Sequence, residues 1–142
     1  MHTPIRRFDK ELPLPEYKTA GAAGFDLAAR ERVVVPPHEV ALVPLNVAIE
    51  PPKGYFVLLA ARSSLHKKGL MPANGVGIID ADYSGNEDEY KIVLFNFSNN
   101  EAVVERGERI AQGVFVPVAQ GLWHEVDDMG NKSRGGFGTT GK

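Results

Sequence analysis

Residues 41–61, ALVPLNVAIEPPKGYFVLLAA, carry the pattern that decides the fold. Ala41, Val43, Leu45, Val47 and Ile49 alternate with mostly less apolar neighbours, the period of two that puts one face of a strand against a core. Pro51-Pro52-Lys53-Gly54 reads as a turn. Tyr55–Ala61 is an unbroken apolar run of seven, expected to form a strand buried on both faces.

The same grammar continues on either side. Phe25 and Leu27 alternate around Asp26 after the small-residue stretch bracketed by Gly21 and Gly24. Val33–Val35 is a short strand stopped by Pro36-Pro37. Ile92–Phe97 reads as another buried strand, and Asn99-Asn100 turns the chain into Ala102–Val104. The charged turn Arg106–Arg109 feeds Ile110–Val116. Fifteen glycines and ten prolines, spread along 142 residues, punctuate many short segments. That pattern favours an all-β sandwich or barrel. One short helix is credible, capped by Ser63 or Ser64 and stopped by Gly69.

Composition narrows the function classes. Sixteen basic and 18 acidic residues give a net charge of −2, which speaks against nucleic-acid or membrane-surface binding as the main role. With no cysteine there is no disulfide, thiol nucleophile or thiolate metal site. The four histidines are scattered, without the spacing of a zinc site. No apolar run approaches membrane-spanning length, and MHTPIRRFDK has no signal-peptide core. A soluble, cytoplasmic protein of one domain (residues 1–127) with a flexible C-terminal arm (residues 128–142) is expected.

Chemistry concentrates in a few stretches. In Asn74–Gly85, NGVGIIDADYSG, glycines permit a tight backbone that a flat ligand can approach. Ile78 and Ile79 can anchor the turn and so aim Asp80, which suits a general base; the alternative is a β-hairpin with solvated acids. Arg62, Ser63 and Ser64 at a helix start make either a phosphate receptor or an ordinary capped turn. Gln112, in an apolar strand, needs a partner, in the protein or on a ligand. Asp26 reads structurally as a polar position on an outer strand face. Asn86-Glu87-Asp88-Glu89 reads as a solvated, inert acidic loop. The tail, DMGNKSRGGFGTTGK, cannot fold alone, yet it offers an arginine, backbone N–H groups and one flat ring that could close over a nucleotide.

Five stretches, AGAAGFDL, ARSSL, NGVGIIDADYSG, RGERIAQGVF and SRGGFGTTG, resemble in order and approximate spacing the five motifs of homotrimeric dUTP pyrophosphatases (dUTPases). The resemblance implies a jelly-roll-like subunit, three of which share sites at their contacts. It implies hydrolysis of dUTP to dUMP and pyrophosphate with Mg²⁺ on the triphosphate, which keeps uracil out of DNA and supplies dUMP for thymidylate synthesis. By that resemblance Asp80 activates the attacking water, and Tyr83 packs on the deoxyribose and leaves no room for a 2′-hydroxyl. Asn74 and the main chain of Gly77, Ile78 and Ile79 read the uracil edge. Arg62, Ser63 and Ser64 bind phosphate, Gln112 lies near the α-phosphate, and Asp26 supports the metal through water. Phe137 stacks on uracil within the Gly138 arm, with Thr139 and Thr140 near the γ-phosphate.

The departures are specific. Ser64 stands where many relatives have glycine. The chain is about three residues longer between Gly85 and Asn96, absorbed by residues 86–89, which bears on Lys91 as a nucleotide contact. Either Lys132 or Arg134 occupies the place of the tail arginine. A dCTP deaminase, or a bifunctional enzyme, shares the fold but requires a glutamate where this chain has Val93. A non-catalytic nucleotide-binding module would be suggested by loss of Asp80 or Phe137, and both are present.

Overall fold

The computed structural model describes residues 2–138. Among them lie eleven strands, all paired antiparallel, and a single 3-10 turn. The strands are β1 (Ile5–Arg7), β2 (Phe25–Ala28), β3 (Val33–Val35), β4 (Val40–Pro44), β5 (Val47–Ile49), β6 (Tyr55–Ala61), β7 (Leu70–Pro72), β8 (Gly77–Ile79), β9 (Lys91–Asn96), β10 (Ala102–Val104) and β11 (Arg109–Pro117). A four-stranded sheet runs β2-β11-β6-β8 and a three-stranded sheet runs β4-β9-β7, with the pairs β1-β5 and β10-β3 completing the shell. The expected all-β, jelly-roll-like sandwich is what the chain forms.

Its core is the inward set of each alternating strand: Phe25 and Leu27, Val57 and Leu59, Ile92 and Leu94, with Val35, Val43, Val47, Leu70, Val104 and Ile110. Each such side chain, once buried, contributes roughly 1.5–3 kcal/mol. Gly113 is fixed by this packing, because a Cβ there would lie 2.5 Å from the Phe25 ring. The buried polar residues Asn46, Glu89 and Asn96 are all hydrogen-bonded. Asn96 Nδ2 donates to the carbonyls of Val35 and Asn100, and its Oδ1 accepts from Ser98. The Tyr90 hydroxyl donates to Ile49 C=O, and burial pushes this phenol up from its ordinary value.

Several sequence expectations need correction. The alternation from Ala41 to Ile49 is two strands, because Asn46 takes φ 72° and breaks the ladder. Strand β6 is buried only at Val57 and Leu59, and β9 also alternates, since one face of each is left uncovered in the single chain. The helix is a four-residue 3-10 turn, Leu65–Lys68. Ser64 stands at its N-cap without a side-chain cap bond, while Gly69 ends it at φ 78°. Residues 74–85 do not form their own hairpin. Strand β8 pairs with β6, whereas the preceding β7 pairs with β9, so the turn between them changes sheet.

From Val118 to Gly138 the described chain has no strand or helix, and Leu122 and Trp123 are 99% and 98% exposed. No helix among the described residues is long and apolar enough to cross a membrane.

Candidate active site

The register of the four-stranded sheet sorts the candidate residues. Phe25, Leu27, Val57, Leu59, Gly113 and Phe115 point inward. By alternation, Asp26, Phe56, Leu58, Ala60, Ile78, Gln112, Val114 and Val116 stand on the opposite face. Cross-strand partners form rows on that face: Ile78 beside Leu58 and Leu58 beside Val114, then Ala60 beside Gln112 and Gln112 beside Asp26. One end of the face is therefore apolar and the other polar.

At the polar end a cleft of about 330 Å³ is lined by Lys18, Thr19, Ala22–Gly24, Asp26, Arg62, Ser63 and Gln112. Arg62 follows the last residue of β6. Its Nε lies 3.3 Å from Asp26 Oδ1, and its Nη1 donates to Arg109 C=O. Asp26 Oδ2 is buried without a hydrogen-bond partner, 3.9 Å from Arg109 Nη1. Asp26 is thus no chance outer-face polar residue: it lies among arginines. Gln112 finds its partner inside the protein, donating from Nε2 to Ala61 C=O. The amide is so closely seated that a Cβ on Gly24 would come within 2.6 Å of Gln112 Oε1. Ser64 lies outside this lining.

A second cleft, of about 260 Å³, gathers Ile78, Ile79, Asp80, Tyr83, Glu89 and Lys91. Asp80 follows β8 directly and is exposed. Only Ile79 anchors it, packing against the core, while Ile78 is 68% exposed because successive strand residues face opposite ways. The Tyr83 N–H donates to Asp80 C=O and closes the turn, and the Tyr83 hydroxyl donates to Glu89 C=O. Lys91 reaches this cleft despite the extra residues before it. The acidic loop is not uniformly solvated. Glu89 is 5% exposed and paired with Arg30.

Other candidates lie apart. Asn74 is exposed in the turn before β8, and neither cleft includes it. Arg134, Phe137 and Gly138 are exposed in the arm and line neither cleft, and Thr139 and Thr140 fall outside the described residues. Lys18 and Thr19 in the first cleft, and Arg109 and Arg30, which face Asp26 and Glu89, were not singled out by the sequence. The only signal for Lys18 and Thr19 was their place immediately before the first glycine-rich motif.

The two clefts are separate in one chain. Val57 pairs with Ile79, so Asp80 lies opposite Phe56, six residues along β6 from Arg62. At the rise of a β-strand that is roughly 20 Å. The sandwich thus carries two separate clefts, one with an exposed carboxylate and a tyrosine and one with an arginine and a hydroxyl. The dUTPase family model matches residues 10–141, and the chain belongs to the dUTPase family. It is 43% identical over 141 residues to the deoxyuridine 5'-triphosphate nucleotidohydrolase of Hydrogenobaculum sp., covering 96% of each chain. It is 41% identical to the protein of that name from Nautilia profundicola, over the full length of both. Among solved structures, the Staphylococcus bacteriophage 80alpha dUTPase with dUPNHPP superposes with a TM-score of 0.86 at 28% identity, covering 99% and 98% of the two chains. The dUTPase from Streptococcus mutans gives 0.73 at 35% identity, covering 82% and 98%.

Proposed function

We propose that this dUTPase hydrolyses dUTP to dUMP and pyrophosphate at sites assembled between copies of the chain, with Asp80 as the base. The observation that carries the proposal is the division of the family's candidate residues into two half-sites at opposite ends of β6. A nucleotide's α-phosphate cannot meet Asp80 and Arg62 of the same chain across roughly 20 Å of strand. The apolar rows of Ile78, Leu58 and Val114 between the half-sites supply a surface for self-association. A homotrimer places Asp80 and Tyr83 of one chain against Arg62, Ser63 and Gln112 of another. The arm of residues 128–142, with Arg134 and Phe137, closes over the site.

In the reaction, a water oxygen attacks the α-phosphorus in line while its proton passes to the Asp80 carboxylate. The bond from the α-phosphorus to the bridging oxygen breaks, and its electron pair leaves with pyrophosphate. Arg62 and Ser63 hold the phosphate chain, and Asp26 fixes the Arg62 guanidinium. Tyr83 lies on the deoxyribose, the backbone from Gly77 to Ile79 with Asn74 reads uracil, and Lys91 borders the same cleft.

No group of three or more potential ligand side chains occurs among the described residues. Among the described residues Asp26 Oδ2 is the one buried side-chain oxygen without a hydrogen bond, which suits a cation that keeps its waters and rides on the triphosphate, as Mg²⁺ does. When bound, Mg²⁺ offsets charge on the phosphates. The same reading assigns the reaction to the cytoplasm.

Pyrophosphate release from dUTP, dCTP, dTTP and UTP, measured side by side with and without Mg²⁺, tests this reading. Metal-dependent release from dUTP alone is expected. Ammonia release from dCTP, or equal turnover of dUTP and UTP, overturns it.

A further inference from the structure

Glu89 is the most deeply buried acid among the described residues, and it lines the Asp80 cleft while its carboxylate is engaged by Arg30 and Asn46. Its carboxylate accepts a two-pronged interaction from Arg30, 2.7 Å from Nε and 3.1 Å from Nη2, and a third hydrogen bond of 2.9 Å from the Asn46 N–H. Asn46 is itself locked in its left-handed conformation. Its side chain accepts from the Asp9 N–H and donates to the Asp9 carbonyl, 2.6 and 3.1 Å. Just beyond Glu89, the Tyr90 N–H donates to Val47 C=O, and Tyr90 C=O accepts from the Leu45 N–H. The backbone just beyond Glu89 is therefore pinned to β5, and its side chain to Arg30, two residues past β2.

That pinned backbone carries the carbonyl to which the Tyr83 hydroxyl donates at 3.1 Å. Tyr83 is consequently held at both ends, its N–H on Asp80 and its hydroxyl on Glu89. The intervening residues close on themselves, with Asp88 Oδ2 accepting from the Gly85 N–H at 2.8 Å. They can therefore vary without shifting Tyr83. An aromatic wall discriminates by excluding atoms, and exclusion works only if the ring cannot retreat.

We propose that Glu89, clamped by Arg30, is a positioning residue that fixes the Tyr83 ring and so sets the discrimination between deoxyribose and ribose nucleotides. This rests on the reading of Tyr83 as the residue against the sugar. A buried, fully partnered carboxylate could serve stability alone, and the two roles separate by measurement.

The test compares full-length wild type, Glu89→Gln, Arg30→Lys, Tyr83→Phe, Tyr83→Ala and the double variant Glu89→Gln/Tyr83→Phe. The readouts are kcat/KM for dUTP and for UTP, thermal stability, and amide hydrogen exchange over residues 80–91. The expected result for Glu89→Gln is a dUTP-to-UTP ratio reduced about tenfold, the scale of one hydrogen bond. Faster exchange confined to residues 80–91 accompanies it. Tyr83→Phe should reproduce that ratio, and the double variant should add nothing further. Arg30→Lys, which keeps charge but not the two-pronged geometry, should fall between and covers the case in which Glu89→Gln fails to fold. A Glu89→Gln or Arg30→Lys protein that melts earlier yet keeps the wild-type ratio overturns the proposal, as do losses that add fully in the double variant. If Tyr83→Ala also keeps the ratio, the sugar reading of Tyr83 falls with it. A ratio altered in Tyr83→Ala but not in Glu89→Gln overturns the positioning role alone.

Discussion

Asp26 and Arg62 meet across strand β11, with Arg62 Nε 3.3 Å from Asp26 Oδ1. The pair joins the first glycine-rich motif to the end of β6, and it orients a guanidinium at the mouth of a cleft that Ser63 and Gln112 also line. Arg62→Ala removes the cation and leaves the carboxylate facing only Arg109. We expect turnover of dUTP to fall by about 10²–10³-fold, the usual result of deleting one donor to a developing charge. Asp26→Asn should fall less far, because the arginine stays but loses its aim. Steady-state kinetics on both variants check the order, and an Asp26→Asn loss exceeding that of Arg62→Ala would contradict it.

Asp80→Asn should leave the sandwich folded and binding a non-hydrolysable dUTP analogue while turnover drops roughly 10²–10⁴-fold. Its carboxylate is exposed and makes no contact that holds the fold, so circular dichroism should be unchanged. Turnover within a few-fold of wild type at saturating substrate would remove Asp80 from the role of base.

How much of this was legible varies with the range of the interaction. Strand positions were readable because period-two alternation is local, and β3, β6 and β10 begin and end where the sequence put them. The motifs single out Asp80, Tyr83 and Arg62, and the fold puts the first two in one cleft and Arg62 in the other. Asn46 was not: its positive φ is sustained by Asp9, 37 residues away. Glu89 was misread for the same reason, since three acids in four residues look solvated and its partner Arg30 is 59 residues distant. The separation of the two half-sites was also hidden, because it depends on the register of β8 against β6 rather than on the spacing of either motif.

Gly113 gives a test of the core beneath the site. Alanine there would set a methyl group 2.5 Å from Phe25 Cζ and 3.2 Å from Val57 Cγ1. Overpacking of this kind costs about 1–3 kcal/mol, and chemical denaturation of Gly113→Ala should report a loss in that range. Unchanged stability would mean that Phe25 moves aside freely.

At acid pH the Asp9–Arg106 pair should be visible. The Arg106 hydrogen bond, 2.6 Å long, is the main reason the Asp9 carboxyl sits below its ordinary value of 3.8. A depressed folded-state value stabilises the protein above pH 3.8, and that contribution is lost as pH falls through the lower folded value. Arg106→Gln removes the largest cause of the depression and leaves the Glu11 N–H hydrogen bond in place. Its melting temperature should therefore fall less than that of wild type between about pH 6 and about pH 2.5. Parallel curves for the two proteins would exclude the pair as a source of acid sensitivity.

The last prediction addresses the half-sites directly. Arg62 and Asp80 stand at opposite ends of β6, so a chain lacking either should be rescued by a chain lacking the other. Two inactive proteins, Asp80→Asn and Arg62→Ala, are mixed under conditions that allow subunits to exchange. A whole site needs Asp80 from an Arg62→Ala chain beside Arg62 from an Asp80→Asn chain. In a cyclic trimer, every mixed ring contains one such neighbouring pair in the correct order and two defective sites. Random 1:1 mixing makes about three quarters of rings mixed, so about a quarter of wild-type activity should return. If each chain used its own Arg62 and Asp80, no mixture could hold an intact site. Activity that remains at background after exchange has been demonstrated by mass labelling would rule out the shared site, and with it the trimeric assembly on which the proposed mechanism depends.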